Sequence, residues 1–225
     1  MTEYLKLDST RVSYGEYWRW KPGPTFLMVA ELKLFRLRLP TTLLVPAKAD
    51  IELIDPATRP PELTEMLEKP VRACQERGYE FKFWYGLPAL GAVIAMGAAL
   101  VSGDGYTVAG AVAGQSRDGL NREVHLGLAT QLRTGKVLVT GDGESLFDPA
   151  PEIEPQRLRG RSYAELLDAH AAQVSTRRAE VKPASDPLEL VRRLEQMEID
   201  ANVARGIYVP ATPDDVAKVT QKYKG

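Results

Sequence analysis

Two histidines, His125 and His170, and a single cysteine, Cys74, are the most chemically versatile side chains of this 225-residue sequence, and their scarcity restricts what it can do. A zinc site of the HExxH type, or one with three histidines, needs more imidazoles than the sequence holds. One thiol can neither close a disulfide within the chain nor assemble a cysteine-based zinc centre. Phosphate chemistry finds no better footing, because Gly135-Lys136 runs into Val137 where a phosphate-binding loop requires Ser or Thr. Gly114-Gln115-Ser116-Arg117-Asp118 lacks the glycine that a nucleophile elbow carries shortly after its serine. Gly103-Asp104-Gly105 and Gly141-Asp142-Gly143 are ordinary tight-turn chemistry. The sequence therefore predicts no metal site, no cofactor site and no catalytic constellation.

Glu123 and His125 form the one pair with a defined mutual orientation. Arg122 to Leu132 alternates Val124, Leu126, Leu128 and Leu132 with Glu123, His125, Gly127, Ala129 and Gln131, the pattern of a strand with one core face. Side chains two apart on a strand point the same way, as acid–base partners or ligands must. The neighbouring Tyr106 to Ala113 is also rich in small residues, which either admit a closely packed helix or leave room for a ligand. Glu123 and His125 are thus candidate ligand-binding residues, against the plainer expectation of a solvated polar face. His170 falls on an apolar helical stripe with Tyr163, Leu166, Leu167 and Val174, where a buried imidazole bonded to a backbone carbonyl is expected. Cys74 is expected as a small core residue.

The N-terminal stretch offers different chemistry. Residues 1–48 hold eight Lys+Arg and four Asp+Glu, a net +4, which leaves –5 for the remainder of a chain whose total is –1. Tyr14, Tyr17, Trp18, Arg19 and Trp20 cluster there, and these residue types dominate interface hot spots and favour the membrane–water boundary. They are candidate partner-binding residues. A protein partner or larger assembly is expected before a peripheral membrane contact, because the segment carries Glu16 and no dense basic cluster. Fold-back of these aromatics onto the core is the competing expectation. The near-zero total charge argues against nucleic acid, which is bound by counterion release.

The elements that would position these residues give an α+β chain. A helix is predicted from Pro61 to Arg77, capped by Gly78 and kinked at Pro70. Strands follow at Tyr79–Tyr85, Ala89–Val101, Tyr106–Ala113, Arg122–Leu132 and Lys136–Thr140, separated by turn signals. Short consecutive spacing predicts an antiparallel β-meander of four to five strands packed against helices, with an irregular N-terminal segment. The corresponding division is an aromatic, basic segment 1–48 and a single α+β domain 49–225. Gly86 to Ser102 is uncharged but mostly Gly and Ala, so it reads as buried strand rather than membrane span. The opening residues Met1 to Asp8 show no basic-then-apolar leader, which gives the expectation of a cytoplasmic protein. A Pro-rich extended link runs from Phe147 to Pro155. Three helices then start, the first capped by Ser162 with Glu165, the second at Ser185-Asp186-Pro187 and a short third at Thr212-Pro213.

The order Gly78-Tyr79-Glu80-Phe81, then Val124 through Thr140, then Ser162-Tyr163-Ala164-Glu165-Leu166-Leu167-Asp168-Ala169-His170 resembles an uncharacterised group of bacterial α+β proteins, some of them membrane-anchored. The resemblance spans Pro61 to about Val174. It departs at Thr134-Gly135, where the group tends to have Asp-Gly, and at Gly141-Asp142-Gly143. It implies the α+β order and no activity. Two functional expectations follow from the residues themselves. The leading one is a non-enzymatic interaction or assembly protein docking through residues 14–20. The other is a small-molecule-binding protein or enzyme using the sheet face near Glu123 and His125.

Overall fold

The computed structural model describes residues 2–20, 43–87, 89–143 and 147–223, and the apolar-basic run 26–39 lies outside them. The chain is α+β, with five helices and two sheets among the described residues. Helix α2 (Pro61–Glu76) leads into the strands β4 (Tyr79–Gly86), β6 (Val93–Ser102), β7 (Thr107–Ser116), β8 (Arg122–Gln131) and β9 (Val137–Gly141). These five are neighbours in that order, each antiparallel to the next.

The expected single meander is corrected in three places. First, β3 (Glu52–Leu53) extends the sheet at the β4 edge, and β10 (Ile153–Arg157) extends it at the other edge, parallel to β9, giving a seven-stranded mixed sheet. The supposed extended link is therefore partly an edge strand, the one place in a sheet where Pro155 forfeits no central hydrogen bond. Second, the strand expected at Ala89–Val101 divides. Gly91, at φ 139°, takes a backbone conformation closed to most side chains and ends β5 (Leu90–Gly91) just before β6. Third, β5 belongs to a separate four-stranded antiparallel sheet, ordered β11 (Tyr208–Pro210), β1 (Tyr4–Leu7), β2 (Leu43–Pro46), β5. Two strands from residues 1–48, β1 and β2, are thus woven into a sheet with the chain's C-terminal region. Leu5 stands opposite both Val45 and Pro210.

Pleating divides the larger sheet into two covered faces. On one, Met96, Ala98, Leu100, Ala109, Ala111, Ala113, Leu126 and Leu128 meet Leu63, Leu67 and Cys74 of α2 and Leu166 and Leu167 of α3 (Tyr163–Thr176). Alanines there bring α2 close, and each fully buried leucine contributes about 1.5–3 kcal/mol. Pro70 sits inside α2 without ending it. On the opposite face Val101, Val108, Ala129 and Val137 pack against Leu190 and Val191 of α4 (Pro187–Ala204), with Tyr85 and Ile51. That face is notched by glycines. Gly110 stands opposite Gly127, and Gly127 opposite Gly141. The ring of Tyr85 lies over Gly97 so closely that a Cβ there would meet Cζ at 2.2 Å.

The capping box of Ser162 with Glu165 forms as the sequence predicts, and the structure adds Asp186 as the cap of α4 and Thr212 with Asp215 as that of α5 (Pro213–Lys222). Asp215 also pairs with Lys6 at 2.6 Å, tying α5 to β1. The Lys6 ammonium, with the Thr212 cap, holds the Asp215 carboxyl down at about 2.

Candidate ligand-binding site

The packing stripe of α4 changes character along its length. Leu190, Val191 and Leu194 cover the sheet, but the same stripe then presents Glu195, four residues after Val191, and Glu198, four after Leu194. Ile199 and Asn202 continue it. Two adjoining concavities open where these carboxylates replace leucines. The first, of about 360 Å³, lies between the second half of α4, strands β2 and β11, Leu87, Ala89 and Phe147. Its walls include Val45, Ile51, Leu87, Ile199, Phe147 and Tyr208, with Lys48 and Asp50 also on the lining. The second, of about 200 Å³, lies between α4 and β9–β10, against Gly141, Gly143, Ile153, Gln156 and Arg157. Glu195 and Glu198 line both. The first is within the size range of small-molecule sites, and its predominantly apolar lining with a few convergent polar groups is typical of them.

The electrostatics distinguish the two carboxylates. Glu195 is exposed, and it stands on the lining of both concavities with protein crowded around its carboxyl. Lost hydration, with the like charge of Glu198 adding, raises its pKa above the ordinary carboxylate value. Among the described residues no donor or cation answers it. Glu198 is also raised by desolvation, but the Ala150 amide and the charges of Arg157 and Arg205 work against the rise. Around them, burial pushes the Tyr208 phenol up to about 12 and raises that of Tyr85, with the field of Glu195 adding to both. Phe147 and Tyr208 meet edge to face, centroids 5.7 Å apart.

The pair expected from sequence lies elsewhere on the same sheet face. His125 and Glu123 are brought together, Nε2 to Oε2 at 3.6 Å, with side chains 50% and 76% exposed. Nδ1 of His125 stands 3.6 Å from Asp142, whose carboxylate, helped by Glu123, holds the imidazole above its usual value. Neither residue lines the concavities. Gly143, which does, abuts the His125 ring.

The N-terminal candidates separate by burial. On α1 (Tyr14–Trp20), Tyr14 and Trp18 are 46% and 53% exposed, whereas Tyr17 is buried and its hydroxyl donates to the Ser9 carbonyl at 2.5 Å. Arg19 is paired with Asp148 at 2.6 Å. The side chain of Trp20 lies outside the described residues. Glu16, fully buried, accepts the Ser13 and Asp148 amides and pairs with Arg205. Burial pushes its carboxyl up, but these partners outweigh it and hold the group at about 2. Glu16 thereby fastens α1 to the end of α4.

His170 is buried as expected, but its partners are side chains rather than a carbonyl. Nε2 lies 2.9 Å from Thr130 Oγ1 and Nδ1 lies 2.8 Å from Thr140 Oγ1. Since Thr140 donates to Gln156 Oε1, its oxygen accepts from Nδ1–H, and Nε2 accepts from Thr130. This assigns a neutral ring, and desolvation lowers its pKa to about 4. Cys74 is buried, its thiol pushed up to about 12 by desolvation.

No group of three or more His, Cys, Asp or Glu side chains among the described residues is arranged to hold a metal ion. No helix among them is long and apolar enough to cross a membrane. No protein-family model, no curated protein and no solved structure matches the chain.

Proposed function

We propose that this protein binds a small organic molecule in the concavity between α4 and strands β2 and β11, with Glu195 as its polar anchor. One observation carries the reading: a carboxylate without a partner among the described residues stands at the wall shared by two adjoining concavities, the larger about 360 Å³ and mainly apolar. A ligand of opposite charge gains from a carboxylate that no cation among the described residues answers. The reading keeps a small-molecule ligand but moves it away from Glu123 and His125 to the concavity beside α4.

The test is a thermal-shift screen of the native chain beside an Ala89→Trp variant, which places an indole in the larger concavity. A ligand at a hundredfold excess over its Kd stabilises by about 2.7 kcal/mol, raising Tm by roughly 5–10 °C for a chain of this size. Stabilisation of the native chain that disappears in the variant is expected. Equal stabilisation of both would overturn the reading.

Docking of a protein partner through α1 is a second reading, favoured by the exposure of Tyr14 and Trp18 one helical turn apart. It requires that a Tyr14→Ser, Trp18→Ser chain keep its melting temperature and lose a co-purifying partner.

A further inference from the structure

We infer that the ligand of this concavity is an organic cation, a protonated amine or quaternary ammonium carried on an apolar body. The inference rests on the binding role proposed above and adds the ligand's charge. Four features select for positive charge. Glu195 is unanswered, whereas Glu198 has the Ala150 amide and two guanidinium charges acting on it. The two carboxylates project from one stripe of α4 into the same space, so a single cation satisfies the first and relieves its repulsion with the second. Phe147 and Tyr208 contribute aromatic rings to the lining, and the negative face of an aromatic ring attracts an ammonium group. The rest of the wall, with Val45, Ile51 and Ile199, suits hydrocarbon. An anion would instead meet two like charges, and a neutral molecule would leave Glu195 without a counter-charge.

Among the described residues Lys48 is the one cation on this lining, and it is exposed on the segment after β2. A divalent metal ion is a poorer occupant, because the described carboxylates provide no third ligand.

The experiment follows the melting temperature and dissociation constant of the full chain at pH 7 and constant ionic strength with four probes: benzylammonium, benzyl alcohol, phenylacetate and magnesium ion. The same series is run on Glu195→Gln and on Glu198→Gln. Benzylammonium should stabilise the native chain most, with at least tenfold tighter binding than benzyl alcohol. That preference should vanish in Glu195→Gln and survive in weakened form in Glu198→Gln. Equal binding of the alcohol, or tighter binding of phenylacetate, overturns the charge assignment and leaves the cavity reading standing. Stabilisation by magnesium alone also overturns it. If no organic probe shifts any of the three proteins, the cavity reading falls and the present inference with it. Retained preference in Glu195→Gln removes Glu195 as the anchor. Because glutamine conserves shape and removes an uncompensated charge, folding of this variant is not at risk.

Discussion

Folding raises the pKa of Glu195. A carboxyl whose pKa is raised by folding binds its proton more tightly in the native chain, so its contribution is most favourable at acid pH and declines as pH rises through the raised value. Glu195→Gln should therefore raise the melting temperature at pH 7 and leave it nearly unchanged at pH 4. A variant less stable than the native chain at pH 7 would mean that the carboxylate is paired. His170 titrates with a different sign. The folded ring protonates near 4 and the unfolded ring near 6.5, so between those values the unfolded chain holds more protons and stability falls as pH is lowered. A loss of about 3 kcal/mol between pH 6.5 and 4 is expected from that shift, and it should be absent from the denaturant-unfolding pH profile of His170→Ala. Removing the ring also strands the Thr130 and Thr140 hydroxyls, at about 1–3 kcal/mol. Glu16 behaves as a structural acid: Glu16→Gln keeps the shape but weakens the Arg205 pair and two amide bonds, and should cost about 1–3 kcal/mol at pH 7, with the difference from the native chain shrinking as pH falls from 4.5 to 2.

Elements differ in how openly the sequence declares them. The caps Ser162, Asp186 and Thr212 and the alternation of β8 depend on near neighbours in sequence, and local patterns report such interactions faithfully. Strand β1 depends on a partner more than 150 residues away, since Leu5 needs Pro210, and no local period carries that information. The division at Gly91 was likewise hidden within an apolar run, because a positive φ leaves no trace in hydrophobicity. The α4 carboxylates were legible and were missed. Glu198, seven residues after Val191, falls on the stripe built from Leu190, Val191 and Leu194, so two acidic residues on a core-facing line were the available signal. Two element-scale outcomes follow. A chain starting at Ala49 loses β1 and β2, leaving β11 and β5 unpaired, and should melt well below the full chain or aggregate; an unchanged melting curve would mean the four-stranded sheet contributes nothing. Gly97→Ala drives a Cβ into the Tyr85 ring and should destabilise by about 1–3 kcal/mol, a loss that Tyr85→Leu in the same chain should partly restore.

At the scale of the whole molecule, the two sheets have unequal tasks. The seven-stranded sheet, held by α2 and α3 on one face, gives α4 a rigid bed on the other. The four-stranded sheet brings β2 and β11 against the far half of α4 and closes the larger concavity. Glu16 and Arg205 join α1 to the end of α4, so the C-terminal end of the helix carrying Glu195 is fixed by a contact outside the site. A site assembled in this way from several elements is preformed, and its ligand need not order it. The most direct measurement is a crystal structure of the full chain with the most stabilising ammonium probe. The account predicts density for the probe in the larger concavity, its nitrogen within hydrogen-bonding distance of the Glu195 carboxylate and its body against Phe147 and Tyr208. A concavity holding only water, with the probe bound elsewhere, would contradict it.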